Sequence, residues 1–485
     1  MDAHGAIVTK IVNVRPCPGA DRIQLGFCCG NQVVVGMDVK EGDMGIFFRD
    51  DLALVDSFCQ YNNLYPIYET DEEGNRTKIG GGFFDPSTRR VKAQRFRGQK
   101  SEGFWCPISY LWNWANHIKT DDKAKGVKLE LVISKLAEGD VFEKLADENV
   151  CYKYITKRTR EIGAGNRQKV VRKNNPLFYQ HVETHQFQYE WPKIPDGSTL
   201  YVSEKLEGVS ARFGKFPRYV IYNRFQTWLL KLLGCVLRLV GVLPKGYPMD
   251  RALQVSETIV GSRRVELREG TPGFHGTTQM WFDVADRVNL SLHNNETIYG
   301  ELVGWTNSGA SLRPPHDLKK LKDKALLKQY GDQPMYYKYG TPSGTSEFYV
   351  YRITHVHEDG SIIELTNNQA RARAEKLGLK FVPNLCRPLK VFQQPVSETA
   401  GLWLYTGDFN EEIDTLFNVV NIVEQFAEGP SILDASHIRE GVVVRVETPT
   451  GETYFLKQKQ FAYKVMEGII KDNDDYVDIE EAENV

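Results

Sequence analysis

Between residues 176 and 470 the chain sets long β-type runs beside isolated helical stretches, and no strand–helix–strand unit repeats. A doubly wound parallel sheet needs that repetition, so the pattern predicts an α+β fold instead. "SEFYVYRITHV" (346–356) and "HIREGVVVRVET" (437–448) have the β-branched and aromatic content of strands. "DLKKLKDKALLKQYG" (317–331) and "NNQARARAEKLGL" (367–379) have helical spacing. Residues 1–110 differ: about five short alternating runs, bounded by turns such as Pro18-Gly19-Ala20-Asp21, predict a small β-barrel. The polar, glycine-rich stretch 68–82 reads as a loop, and 111–150 as a mixed region with a helix near "LELVISKLAEGDVFEKLA". These breaks predict a barrel-bearing domain over 1–150, a basic interdomain segment over 151–175, a second domain over 176–470 and a disordered acidic tail over 471–485.

A chain of 485 residues has room for that many domains. Lys and Arg number 61 against 63 Asp and Glu, a formal charge of −2, so no global basicity advertises a polyanion partner. Any such site must be local, and 89–100 and 152–173 are the basic clusters that offer one. The eight cysteines show no Cys-x-x-Cys spacing, which argues against a zinc ribbon and predicts a reducing, intracellular compartment. The first residues carry no apolar secretory run. The most apolar stretch, 228–244, is interrupted by Lys231 and Arg238, seven apart and hence on one helical face. It reads as an amphipathic helix packed on its domain or covering a site, with a membrane-surface placement as the other reading and no clear membrane association overall.

The chemistry centres on "SEKLEGVSARF" (203–213), where Lys205 stands between Glu204 and Glu207 and before Gly208. Downstream come "IVGSRRVEL" (259–267), "IYGELVGW" (298–305), "EFYVYRI" (347–353), "REGVVVRVE" (439–447) and "YFLKQKQFAYK" (454–464). A Lys-x-x-Gly tetrad alone is uninformative, but in this order the set resembles the motifs of the covalent nucleotidyltransferases, the polynucleotide ligases and messenger-RNA capping enzymes. The resemblance implies that Lys205 is the nucleophile, with Lys457 and Lys459 acting on the α-phosphate. In a strand the alternation Lys457-Gln458-Lys459 would aim both ammonium groups to one face, where they stabilise charge developing in phosphoryl transfer. Glu301 and Glu440 would bring hard oxygens for Mg2+ or Mn2+. Glu204, Glu207, Gly208, Arg212, Arg263 and Phe348 complete the implied ATP site: Glu204 at the adenine edge, Glu207 orienting the ribose or the loop, Arg212 reaching the ribose or a phosphate, Gly208 allowing close backbone approach, Arg263 on phosphate, and Phe348 either stacked on the purine or packed as a core strand aromatic. An attacking lysine must be a free amine, yet carboxylates beside it favour the ammonium. Glu204 and Glu207 therefore do not activate Lys205; a cation would.

Only 26 residues follow Lys459, too few for a barrel that closes over the site from the C-terminal side. The β-rich half lies in front, and "PCPGADRIQLGFCCGNQVVVG", "VKEGDMGIFFRDD" and "RVKAQRFRGQKSEGFWCPI" are similar to the N-terminal OB domain of the RNA ligase 5 family, the Deinococcus and Naegleria type. The resemblance implies an OB-like barrel ahead of a ligase-type nucleotidyltransferase domain, an adenylyltransferase or ATP-grasp-like α+β fold. It further implies an ATP-dependent RNA ligase that seals 3′-OH and 5′-phosphate ends, at nicks, through a lysyl-AMP and an AMP-capped RNA end. Arg95, Arg97 and Lys100 are the candidate RNA contacts on the barrel. The segment "VETHQFQ" (182–188) keeps Thr184 but not the acidic pair and arginine usual there, and 61–82 and 215–257 read as insertions. Two alternatives stay open: a ligase for DNA or mixed nicks, and a non-catalytic nucleic-acid-binding protein on this fold.

Overall fold

A computed structural model describes residues 5–71, 75–166, 175–217, 224–242, 256–270, 277–288, 291–321, 323–357, 359–393, 402–405 and 417–472. The acidic tail beyond 472, positions 167–174 of the basic segment and the end of the 228–244 stretch lie outside them.

The N-terminal region is β-rich, as its alternating runs require. Ala6–Lys10 pairs antiparallel with Met44–Phe48 and with Val141–Phe142, and Phe104–Pro107 completes a four-stranded sheet. Val12–Pro16, Ile23–Cys28 and Asn31–Gly36 form a separate three-stranded meander. The described strands thus form distinct ladders. Helices Ser109–Asp121 and Lys123–Ile133 cover the four-stranded sheet, burying Leu111, Trp114, Leu129 and Ile133 against Val8, Ile46 and Phe48. Asp122 separates the two helices because its carboxylate accepts from the Ala124 and Lys125 N–H groups, capping the second. The stretch expected as a loop over 68–82 is instead a hairpin of Pro66–Thr70 with Arg76–Gly81. Nearly all of it is exposed, so the alternation that betrays a half-buried strand is absent. A paired Asp71–Asn75 turn closes the ladder from the ends that the structure describes.

The second region carries two sheets, antiparallel except where His185–Gln186 joins one and Lys380–Phe381 the other in parallel. In one, Thr199–Lys205 lies beside Gly441–Glu447, which pairs with Thr453–Lys459. In the other, Val209–Pro217 pairs with Glu296–Gly304, and that with Ser346–Val356. Residues 206–208 carry the chain from the first sheet to the second. Alternate residues of the second sheet, among them Val209, Ala211, Phe213, Ile298, Leu302, Phe348 and Val350, point into one core under helix Gln279–Val288. The opposite parity, Ser210, Glu301 and Tyr349, shares the other face. Helix Asn367–Lys376 starts at a capping box between Thr366 and Gln369. Helix Phe461–Lys471 follows Thr453–Lys459 in the chain and reaches the N-terminal region: Lys464 Nζ is 2.7 Å from Glu102 Oε2, and Arg90 donates to the Gly468 carbonyl at 2.8 Å.

The apolar stretch expected to pack on the domain does not bury its apolar side. It is helical over Arg224–Leu239, and Phe225, Trp228, Leu232, Val236 and Leu239 are exposed. No helix among the described residues is long and apolar enough to cross a membrane.

Candidate active site

Strand register builds the centre of the site. Lys205 pairs with Gly441, and Gly441 with Lys459, so two lysines stand in one row with a glycine between them. Neighbouring strands lie about 4.8 Å apart, and Gly441 has no side chain of its own to stand between the two lysines. Glu440, the residue just before it, bridges them. Its Oε2 is 2.6 Å from Lys205 Nζ and its Oε1 is 3.5 Å from Lys459 Nζ. Gly441 is required: an added Cβ would sit 2.1 Å from the Gln458 carbonyl oxygen. One row below, Ser203, Val443 and Lys457 align in the same way, so Lys457 shares the face of Lys459 while Gln458 is buried.

Facing this row across the turn at 206–208 is the second sheet with Glu301. The two sheets enclose a cleft of about 360 Å³ whose lining includes Lys205, Glu301, Glu440, Lys457, Lys459 and Arg263, together with Glu204, Glu207 and Gly208. That size suits a nucleotide-sized molecule. Gly208 is needed for a reason other than the expected one: a Cβ there would lie 2.2 Å from the Leu302 carbonyl and 2.9 Å from Glu301 Cγ. What its backbone approaches is the Glu301 strand. The turn after Lys205 is thereby pressed against Glu301.

Electrostatics sort the acids. Burial pushes the Glu440 carboxyl up to about 7, although Lys205 and Lys459 pull it down. Burial also pushes the Lys205 ammonium down, but Glu440, Glu207 and Glu301 more than offset this and hold it above the ordinary lysine range. The resting lysine is therefore a cation, as an amine flanked by carboxylates should be. Glu207 goes the other way: burial is outweighed by Arg313, Lys205 and the Tyr463 hydroxyl, which hold it at about 2. It forms an ion pair with the Arg313 guanidinium, accepts from Tyr463 at 2.5 Å, and its N–H donates to the Tyr339 hydroxyl at 2.6 Å. So Glu207 anchors the turn after Lys205 to three other segments. Lys459 is fixed from behind by Glu467, 2.7 Å away, itself held well below the carboxylate range by Lys459 and Lys471.

Glu204 accepts from the Ile432 N–H at 3.0 Å, but its other oxygen is buried with no partner. Burial accordingly raises its carboxyl. A buried acceptor left unpaired at a cleft wall is suited to a ligand donor.

Several expected contacts are placed elsewhere. Arg212 is buried and donates to the carbonyls of Ser262, Phe178 and Tyr179 at 2.9, 2.8 and 2.7 Å, so it ties down the segment that precedes the first strand. Phe348 is fully buried, edge-on to Phe213 at 5.0 Å, because its strand parity matches Leu302 and not Glu301. Tyr351 and Phe381 line the cleft instead. Of the basic residues on the N-terminal hairpin, Arg95 pairs with Asp323 at 3.0 Å and Lys100 with Glu428 at 3.5 Å, both over the ring of Phe461. Two of the three therefore join the hairpin to the second region; Arg97 is exposed at its turn.

Sequence reasoning missed Arg313, Tyr463, Glu467 and His181. His181 lines the cleft among Tyr299, Tyr351 and Phe455, burial holds its imidazole well below the usual range, and its Nδ1 is buried without a partner. Glu467 falls eight residues after Lys459, beyond the start of helix Phe461–Lys471, which no capping side chain marks. Arg313, in "SLRPPH", carried no signal.

The divalent cation implied for this chemistry takes one or two carboxylates and completes its shell with water and substrate phosphate. Glu301 and Glu440, hard oxygen donors in one cleft, fit that requirement. Among the described residues no cluster of three or more His, Cys, Asp or Glu side chains forms a closed cage.

The chain is similar in fold to the Naegleria gruberi RNA ligase. A variant of that protein with ATP and Mn aligns over 95% of this chain and 98% of the other, at 17% identity and a TM-score of 0.51. Another, with AMP and Mn, aligns over 98% and 100%, at 17% identity and a TM-score of 0.52. No curated protein sequence matches. The RNA ligase family description matches residues 198–466, more than half of the chain and every segment of the cleft from the first strand to the C-terminal helix. The chain belongs to the RNA ligase family.

Proposed function

We propose that this protein is an ATP-dependent RNA ligase that joins a 3′-OH end to a 5′-phosphate end, at nicks, by way of a lysyl-AMP. The observation that carries the reading is the row Lys205–Glu440–Lys459, a nucleophilic amine, a carboxylate and a second cation within ion-pair distance in one cleft. In the first step Lys205 Nζ, having lost its proton, attacks the α-phosphorus of ATP. The P–N bond forms as the P–O bond to pyrophosphate breaks. Next an oxygen of the RNA 5′-phosphate attacks the same phosphorus, the P–N bond breaks and the lysine regains its amine. The 3′-OH then loses its proton and attacks the RNA 5′-phosphorus, releasing AMP.

The chain's own residues mainly position and neutralise. Lys457 and Lys459 face the phosphates from one strand, Arg263 adds a guanidinium, and the unpaired Glu204 oxygen accepts from the exocyclic amine of adenine. Glu207, held by Arg313 and Tyr463, keeps the turn bearing Lys205 in place. A divalent cation held by Glu301 and Glu440 would neutralise triphosphate charge and, by occupying the carboxylate that now pairs with Lys205, favour the free amine. The Naegleria ligase structures with ATP and Mn and with AMP and Mn support ATP and a divalent metal as the cofactors. We further propose that the N-terminal strands act as an OB-like RNA platform with Arg97 at its rim, and that the eight free thiols suit a reducing compartment.

The direct test is transfer of label from α-labelled ATP to protein in the presence of Mg2+ or Mn2+. Wild type should become labelled and Lys205→Ala should not; labelling that survives the substitution removes Lys205 as nucleophile. Nicked duplexes with RNA or DNA on the 3′-OH side separate the RNA reading from a DNA one.

A further inference from the structure

Residues 215–249 carry six basic side chains, Lys215, Arg218, Arg224, Lys231, Arg238 and Lys245, and no Asp or Glu, in a chain whose net charge is −2. In the middle of this run stands the helix Arg224–Leu239. Apolar residues 225, 228, 229, 232, 233, 236 and 239 of the helix, with 240 just after it, recur at i, i+3, i+4, i+7, i+8, i+11, i+14 and i+15, one continuous stripe. Every one of them is exposed, from 42% for Leu233 to 86% for Leu239. The side turned to the protein is the other one: Gly234 is buried, and Leu230, Leu237 and Arg238 are half-buried. An amphipathic helix normally hides its apolar face on its own domain, and this one holds its face outward.

From this geometry we infer that the helix Arg224–Leu239 is a surface-binding element for an anionic lipid bilayer, lying in the interface with its apolar stripe among the acyl chains. Three features select that occupant. The charge in and around the helix is of one sign, so a second copy would bring cations against cations, whereas anionic headgroups complement them. The helix is held to the protein along the opposite side, at Leu230, Gly234 and Leu237, which leaves the whole stripe open to a planar surface. Phe225 and Trp228 project together, ring centroids 6.1 Å apart, at one end of the stripe, and such aromatic rings favour the headgroup boundary. At 16 residues the helix is about 24 Å long, and it would lie along the surface and not cross it.

The test is co-sedimentation of the full chain with vesicles of phosphatidylcholine alone or phosphatidylcholine with phosphatidylserine. Binding to the anionic vesicles is expected, weakening as salt rises, with little on the neutral ones. Leu232→Glu/Val236→Glu should reduce it by about tenfold or more with unchanged circular dichroism and melting temperature. Trp228→Glu should act in the same direction, as a second variant at another exposed position. Absence of binding to phosphatidylserine vesicles, or binding that both variants retain, would overturn the inference. So would a concentration-dependent dimer in sedimentation that the double variant abolishes while vesicles bind nothing, which would assign the face to a second copy.

Discussion

At the scale of single residues the site works through opposed carboxylates. Glu440, pushed up to about 7 by burial, changes charge near neutral pH, and only the ionised form can hold a cation. Label transfer to Lys205 should therefore show an inflection near pH 7 in its pH profile, and Glu440→Gln should lose both the inflection and most of the metal dependence. A Glu440→Gln enzyme with an unaltered metal titration would remove this residue from the site. Glu207 gives a stability prediction of definite sign. Its folded value of about 2 lies below the ordinary 4.5, so its contribution is complete above pH 4.5 and is lost as pH falls from 4.5 towards 2. Arg313→Ala removes the principal cause and strands a buried carboxylate, and should destabilise the protein by about 3 kcal/mol at neutral pH. Urea unfolding of the variant at pH 7 and pH 3 measures both; an equal difference at the two values would contradict the assignment.

At the scale of elements, helix Phe461–Lys471 serves the cleft and the N-terminal region from different faces. Tyr463 and Glu467 hold Glu207 and Lys459, while Lys464 and Gly468 meet Glu102 and Arg90. Lys459 is directed by Glu467 as much as by its own strand. Glu467→Gln should slow label transfer by about 10²-fold with a smaller change in apparent affinity for ATP, because on the proposed reading it displaces the cation, Lys459, that faces the phosphates. Single-turnover kinetics separate the two; a pure affinity loss would mean that Glu467 does not position Lys459. The hairpin over 66–81 shows the limit of local pattern at this scale. With almost every side chain in water, neither period nor burial distinguishes it from a loop, and only backbone pairing does.

At the scale of the whole molecule the N-terminal region is docked on the second by charge. Lys464, its ammonium favoured by Glu102 and Asp50 despite burial, is the most enclosed of these contacts. Reversing it with Lys464→Glu should destabilise the chain by about 3 kcal/mol, and Lys464→Glu with Glu102→Lys should recover part of the loss in urea unfolding. A cycle with no coupling between the two positions would show that the regions are held by other contacts. Arg95–Asp323 and Lys100–Glu428 bridge the same divide, which is why basic residues suited on composition to RNA are engaged with acids of the second region.

The amino-acid sequence by itself determined the class of fold, the order of the strands that carry charge, and the identity of Lys205, Glu301, Glu440, Lys457 and Lys459 as one set. The class of fold is a property of local propensity, and the set of five rests on the order of motifs that resemble those of the nucleotidyltransferases. Tertiary structure decided the rest. Whether Phe348 or Tyr351 meets the cleft depends on pairing parity with a strand some fifty residues earlier, and a bulge between Tyr299 and Gly300 shifts that register. Whether Arg212 serves a ligand or a carbonyl depends on which backbone folds beside it. That Arg313 lies against Glu207, 106 residues away, and that the 224–239 helix turns its apolar stripe outward, follow from packing between distant segments, which no window of the sequence contains.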